Sequence, residues 1–321
     1  LNIYLKMSCS KDKCDPEFCL ENILKKNHGL IDIKIKLSIR DTEALSLAYT
    51  PGVATPCLDI QKDITRCYEL TNKSNSIIVL TDSSKFLGDG KKCNYIKKSV
   101  DGTWNNNASM VYLESFSAIY KLISNVDAYP IILDLAKVND AATLVETVNA
   151  ISLSYSGVEL FGVCPKRMEE FKTLFEKLEK KENFAFLDTN KKVELDELLS
   201  QKKTGLCSNI IVAAIWRVVL DCHVFGNVEK ILDYVLDLIK KDTIDLTKGC
   251  DIACDFNQAF DKVIDYVFEN KLENHSFDKY NWRGYELNKE YVVKKFKSFL
   301  YYGTLGWREP IPNGYYMHNH N

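Results

Sequence analysis

Residues 44–60 read Ala-Leu-Ser-Leu-Ala-Tyr-Thr-Pro-Gly-Val-Ala-Thr-Pro-Cys-Leu-Asp-Ile and are the most informative stretch of this chain. At its centre, Pro51 and Gly52 suit a tight turn, because proline presets one backbone angle and glycine tolerates the others. Before the stretch, residues 31–39 alternate Ile or Leu with polar residues, a pattern that predicts a strand. After the turn, we expect a helix around residues 56–68.

Beyond the turn, the chain alternates short apolar runs with segments of helical spacing. The runs predict buried strands, which we place at residues 76–81, 129–135, 158–163 and 185–187. The other segments predict helices, which we place at residues 108–123, 144–153, 167–180 and 209–220. Such alternation indicates an α/β domain with a largely parallel sheet. We also expect an exposed loop at 88–107, helices at 228–240, 258–269 and 291–300, and an extended aromatic tail at 301–321.

The composition argues against several classes of partner. The 321 residues carry a formal net charge of −2, which gives no electrostatic reason to expect nucleic acid or an anionic membrane. No apolar run approaches the ~20 residues that span a bilayer. The 11 cysteines include no Cys-x-x-Cys pair and indicate reduced thiols in an intracellular protein. The chain begins with Leu1, which a cleaved presequence or an incomplete sequence would explain, and we favour a mitochondrion or related organelle over the cytosol.

Several ordered motifs resemble the N-terminal, malate-binding domain of the malic enzymes. They are the stretch at 44–60, Leu-Thr-Asn-Lys at 70–73, Ile-Val-Leu-Thr-Asp at 78–82, Leu-Gly-Asp-Gly at 87–90 and Val-Asp-Ala-Tyr-Pro-Ile at 126–131. The resemblance implies an NAD(P)-dependent oxidoreductase that converts malate to pyruvate with a divalent metal ion. It also implies that the family's proton-donating tyrosine falls on Tyr49.

Other positions depart from the family's pattern. The position of the family's catalytic lysine holds Phe116, and an aromatic ring cannot accept a proton. The positions of the three metal-binding carboxylates hold Phe161, Gly162 and Thr189, and the neighbouring Asp188 is kept. A hard cation such as Mg²⁺ needs several oxygen ligands, so we expect no metal site. No glycine-rich nucleotide-binding fingerprint follows, so we expect no nicotinamide cofactor.

The sequence thus predicts three regions: an N-terminal extension at 1–29, a malic-enzyme N-terminal-like α/β domain at 30–220, and a divergent, mainly helical region with its tail at 221–321. We expect a catalytically inactive pseudoenzyme, not an enzyme, in which Tyr49 and Asp188 are vestigial. It would act as a structural or accessory subunit of a multi-subunit assembly or homodimer. Two alternatives stay open, a dicarboxylate-binding module and a residual malate oxidoreductase that a partner chain completes.

Overall fold

The computed structural model describes the chain in segments, at residues 24–25, 27–33, 35–37, 39–82, 107, 109–134, 137–178, 184–202, 208–243, 252–273 and 287–294. These belong to two compact units, Leu1–Ile35 and Lys36–Asn321. The boundaries predicted at 29/30 and 220/221 stay predictions.

The first unit contains the end of a helical turn. Residues 24, 25 and 27 are helical, and His28 and Gly29 follow with positive φ angles of 57° and 118°. The amide of Gly29 donates to the carbonyl oxygen of Leu24 at 3.2 Å, so a glycine in the left-handed region closes the turn.

In the second unit, the described residues form a sheet of four parallel strands. The strands are β1 (Ser76–Thr81), β2 (Asp127–Ile132), β3 (Gly157–Leu160) and β4 (Ala185–Asp188), in the spatial order β2-β1-β3-β4. The chain therefore leaves β1 to one side, crosses back over it and continues on the other side. In sheets of this order, the carboxyl ends of β1 and β3 flank the point at which ligands usually bind.

The residue types fit these strand positions. All six residues of β1 are buried, because the central strand is covered on both faces. Among the described residues, β2 is an edge strand, and its Pro130, which lacks an N–H, lies where proline is tolerated in a sheet.

The helices surround the sheet. In chain order they are α1 (Thr42–Ala48), α2 (Ala54–Lys62), α3 (Cys67–Leu70), α4 (Ser109–Ser124), α5 (Ala141–Ile151), α6 (Pro165–Phe175), α7 (Thr189–Gln201), α8 (Ser208–Cys222), α9 (Val228–Lys240) and α10 (Ile252–Glu269). Short 3-10 turns lie at Ile64–Arg66, Asn72–Asn75 and Phe225–Asn227, and residues 289–294 are helical. The predicted α/β class with a parallel sheet is confirmed.

Two apolar clusters hold these layers together. On one face, Ile78 and Leu80 pack with α5 and α6, where Phe171 is fully buried. On the other face, Ile77 and Val79 belong to a larger cluster that includes α4, α8, α9 and α10. Successive residues of β1 point to opposite faces, so this one strand contributes to both clusters.

The strand predicted at residues 31–39 is wrong for the residues described there, none of which lies in a strand. Ile33 and Ile35 are 81% and 74% exposed. Alternation supplies a face to bury, but a strand also needs a neighbouring backbone to pair with. The predicted loop at 88–107, apart from Asn107, and the tail at 301–321 lie outside the described residues.

Within the described segments, no helix is long and apolar enough to cross a membrane.

Candidate functional site

Tyr49 lies at the carboxyl end of α1, and its side chain is 69% exposed. Its amide donates to the carbonyl oxygen of Leu45 at 2.9 Å, which ends the helix. The turn that follows needs glycine, because a Cβ on Gly52 would lie 2.0 Å from the carbonyl oxygen of Leu47. A close backbone approach of this kind excludes every other residue type. The Thr-Pro-Gly turn therefore fixes Tyr49 at an exposed corner.

Large apolar side chains flank Tyr49 on the surface. Neither α1 nor α2 has a buried residue. Leu45, Leu47 and Leu58 are 48%, 73% and 54% exposed. We call this surface, made of Leu45, Leu47, Tyr49, Val53 and Leu58, the α1–α2 face.

A cluster of aromatic side chains lies at the end of β3 and on α4. Phe116 meets Phe161 edge to face, with ring centroids 4.8 Å apart, and both rings lie within 6.3 Å of Tyr112. Phe116 is 6% exposed. Aromatic pairs at such distances and angles are favourable. The position that the resemblance assigns to the catalytic base is therefore filled by a packed ring.

Beneath these rings, Glu159 and Lys192 form a buried ion pair. Glu159 is fully buried on β3, and Lys192, on α7, is 4% exposed. The Lys192 ammonium donates to Glu159 Oε1 at 2.7 Å. The other carboxylate oxygen, Oε2, accepts from the Tyr120 hydroxyl at 2.7 Å and from Trp216 Nε1 at 3.2 Å. Both oxygens of the buried carboxylate are thus satisfied, as buried charge requires.

Asp188 and Thr189 serve the start of α7. Asp188 Oδ1 accepts from the amide of Asn190 at 2.8 Å, and its other oxygen lies 2.6 Å from Lys172 Nζ. Burial lowers the pKa of Lys172, but its hydrogen bonds and charge interactions with Asp188 and Glu229 outweigh that effect and raise the pKa above its ordinary value. The Thr189 hydroxyl donates to the carbonyl oxygen of Leu160 at 2.7 Å.

The residues present do not fit a divalent metal ion of the kind that the resemblance implies. Phe161 has no ligand atom, and Gly162, at a positive φ of 65°, contributes only backbone where β3 ends. Among the residues whose side chains are described, no group of three or more His, Cys, Asp or Glu could hold a metal ion. A hard cation takes six or more oxygen ligands, several of them usually carboxylates.

At the end of β1, Asp82 is fully buried and forms an ion pair with Arg167 of α6. This pair occupies the point between β1 and β3 where the strand order reverses. Among the described residues, the Asp82–Arg167 pair lies at the carboxyl end of β1 and the aromatic cluster at that of β3, while the Glu159–Lys192 pair lies on one face of the sheet, one residue before the end of β3.

Lys192, Tyr120 and Trp216 were not predicted from the sequence as parts of this site. A signal was present for Lys192, because the buried residues of α7 are Thr189, Lys192, Leu195 and Leu199, at the spacing of one helix face. A lysine on a buried helix face needs a buried carboxylate as its partner. Glu159, which lies in an otherwise apolar strand, is a candidate for that partner.

Parallel strands in this order, with side chains from β3, α4 and α7 meeting at the carboxyl edge, define an open α/β domain. No model of a protein family matches the chain. It is 36% identical over 136 residues to the bifunctional malic/malolactic enzyme of Bacillus subtilis, covering 42% of this chain and 30% of that protein. It is 32% identical over 152 residues to the NAD-dependent malic enzyme of Geobacillus stearothermophilus, covering 47% and 29%.

Among solved structures, a malic enzyme from Pyrococcus horikoshii aligns with a TM-score of 0.45 and 24% identity, covering 57% of this chain and 40% of that one. Somewhat under half of this chain is thus similar in sequence to part of these malic enzymes, which supports a malic-enzyme-like domain over the matched residues. The matched region spans less than a third of the length of the two curated relatives.

These comparisons correct one expectation. The prediction that the chain is not an enzyme is wrong, because the curated proteins that it matches are named as malic enzymes. The substitutions at Phe116, Phe161, Gly162 and Thr189 concern the interior of this one domain and do not decide the activity of the whole protein.

Proposed function

We propose that this chain is a subunit of a malic enzyme assembly and takes part in malate oxidation together with a partner chain. In this proposal the partner supplies the catalytic base, the divalent metal ion and the nicotinamide. This chain supplies the malate-domain fold and the phenol of Tyr49. The organellar location and the dicarboxylate-binding alternative stay predictions.

The observation that carries the proposal is the difference in exposure between Tyr49 and the other family positions. Tyr49 is 69% exposed, whereas Phe116 and Thr189 are only 6% and 5% exposed. The interior of the domain is therefore packed where a base and a metal ligand would act. An outward-facing phenol can still donate a proton to a substrate held on another chain.

The α1–α2 face supports a protein partner next to Tyr49. Three of its leucines are about half exposed or more, and neither helix buries a residue of its own. Grouped apolar side chains on a surface mark sites of interaction with other molecules, because their burial releases water. A partner that covers Leu47 and Leu58 would also approach Tyr49.

The chemical role that we assign to Tyr49 is that of a general acid. Oxidation of malate by NAD(P)⁺ gives a β-keto acid, and loss of CO₂ from that acid leaves an enolate of pyruvate that must be protonated on carbon. A phenol held against that carbon supplies the proton, and general acids of this kind contribute about 10²–10⁴-fold to the rate.

The test compares two variants of the chain in the assembly purified with its partner. Malate-dependent reduction of NAD(P)⁺ is measured with Mn²⁺ present. We expect Tyr49→Phe to lower turnover by about 10²-fold or more. Tyr112→Phe is the matched control, since Tyr112 is 46% exposed and is expected to leave turnover unchanged. Equal turnover in the wild-type and Tyr49→Phe assemblies would refute the role of Tyr49.

A further inference from the structure

The ammonium of Lys192 is surrounded in the way that proteins surround a bound cation. It donates to Glu159 Oε1 at 2.7 Å and to the Tyr120 hydroxyl oxygen at 3.2 Å. It also lies 4.1 Å from the centre of the Phe116 ring. An ammonium has three N–H donors, and these contacts comprise one anionic oxygen, one neutral oxygen and one aromatic face.

The groups around the ammonium come from separate parts of the fold. Glu159 belongs to β3, Tyr120 and Phe116 to α4, and Trp216, which holds the second carboxylate oxygen, to α8. Lys192 itself reaches in from α7. A cation at this point therefore joins the sheet to three helices, α4, α7 and α8, the first of which is distant in sequence from the other two.

Burial makes this arrangement unlike an ordinary surface ion pair. Glu159, Tyr120 and Trp216 are fully buried, and Phe116 is 6% exposed. A carboxylate in such surroundings is strongly unfavourable without a cation, because transfer from water removes its hydration. An apolar side chain of the same length as lysine would fill the space but leave that charge uncompensated.

We propose that β3, α4 and α8 build a binding site for a primary ammonium ion, and that the Lys192 side chain is its permanently attached occupant. The site selects an ammonium, because a small hard cation would need more oxygen ligands than the two present here. The ion fixes the orientation of Glu159, Tyr120 and Phe116 together. This inference is independent of the proposed function, since it concerns the interior of the domain alone.

The test removes the occupant and offers a substitute from solution. Lys192→Ala deletes the side chain beyond Cβ, and n-propylammonium has the same three carbons and nitrogen. Thermal unfolding of the full chain is followed with n-propylammonium or with 1-propanol, which has the same shape without the charge. Lys191→Ala is the matched control on the same helix, since Lys191 pairs with Asp233 at 2.7 Å near the surface.

We expect Lys192→Ala to lower Tm by at least about 5 °C and Lys191→Ala by less than about 2 °C. We expect n-propylammonium at about ten times its Kd to raise the Tm of Lys192→Ala by about 2 °C, with no such rise from 1-propanol. Equal effects of the two additives, or equal stability of the two variants, would overturn the proposal.

A second comparison decides the matter if Lys192→Ala gives no folded protein. Lys192→Met keeps about the volume of the lysine side chain and removes its ammonium. Adding Glu159→Gln removes the buried negative charge that the ammonium compensates. The proposal requires the double variant to regain a cooperative unfolding transition with a Tm above that of Lys192→Met. A double variant that is no more stable than Lys192→Met contradicts the need for a cation.

Discussion

Replacing Arg217 with methionine tests the buried ion pair at the opposite, amino edge of the sheet. Arg217 and Asp221 lie one turn apart on α8, and each side chain is 1% exposed. The guanidinium donates to both oxygens of Asp221, from Nε at 2.9 Å and from Nη2 at 2.7 Å. Its remaining terminal nitrogen donates to Asn75 Oδ1 at 2.7 Å, which ties α8 to the start of β1.

The magnitude follows from what the substitution leaves behind. Each of the three short hydrogen bonds from the guanidinium is worth roughly 1.5–3 kcal/mol, since a charged group takes part. Removing one partner of a buried pair leaves the other charge desolvated, and such changes cost about 3–5 kcal/mol. We therefore expect Arg217→Met to lower the free energy of unfolding by about 4 kcal/mol. Removing both charges, in Arg217→Met with Asp221→Leu, is expected to recover at least about 2 kcal/mol of this.

The assay is equilibrium unfolding in guanidinium chloride. With a slope near 4 kcal/mol per molar, a loss of about 4 kcal/mol lowers the midpoint by about 1 M. Lys62→Ala is the matched control, since its contact with Asp59 spans 3.8 Å at the surface and is expected to be worth less than about 0.5 kcal/mol. A midpoint for Arg217→Met within 0.1–0.2 M of the control, on the order of 0.5 kcal/mol, would refute the reasoning.

Two further changes test the packing and the electrostatics of the sheet. Gly157→Ala should destabilise the fold by about 1–3 kcal/mol in the same assay, because its Cβ would lie 2.8 Å from the Trp216 ring, and an unchanged midpoint would contradict that contact. Burial raises the pKa of Asp127, but hydrogen bonds from Lys121 and Asn75 outweigh it and hold the pKa below its usual value of about 3.9. A carboxyl group whose pKa is lower in the folded than in the unfolded protein stabilises the fold at pH values above its unfolded-state pKa. This stabilisation is lost as the pH falls through its folded-state pKa. Asp127→Asn should therefore be less stable than wild type at pH 7, with a gap in unfolding midpoint that narrows below about pH 4; a gap of the same size at both pH values would contradict this.

The strands of the sheet and the helices beside it were predictable because local sequence patterns indicate which of their residues are buried. Residues 76–81 are a continuous apolar run, and they form the central strand β1 with the same bounds. The segment at 31–39 was mispredicted because its alternation carries no information on whether a neighbouring strand is present. Pairing is a property of the tertiary fold, and no local pattern supplies it.

The candidate site was predictable only in part. The family motifs located Tyr49, Phe116, Phe161 and Thr189 along the chain. They did not predict which other side chains pack around these positions in the fold. The Glu159–Lys192 pair joins residues that are 33 positions apart, and Trp216 approaches from a further helix. Such a cluster depends on the crossing of β3, α4, α7 and α8, which a sequence pattern does not specify.

The occupied carboxyl edge also changes how the motif at 44–60 is understood. The turn keeps its glycine because the backbone of Leu47 comes within 2.0 Å of where a Cβ would lie. The same turn presents Tyr49 at the surface instead of toward Phe116 and Lys192. The shape of this turn thus depends on Gly52, and the role proposed for Tyr49 toward a partner depends on its exposure.

The most direct test of the proposed function is the composition of the native assembly. The chain is purified from its source without denaturation, its mass is measured in the native state, and malate-dependent NAD(P)⁺ reduction is assayed on the same sample. The account predicts a complex that contains this chain together with a chain carrying a nicotinamide-binding domain, and turnover that is lost when the two are separated. A sample that contains this chain alone, or turnover that persists after the partner is removed, would contradict it.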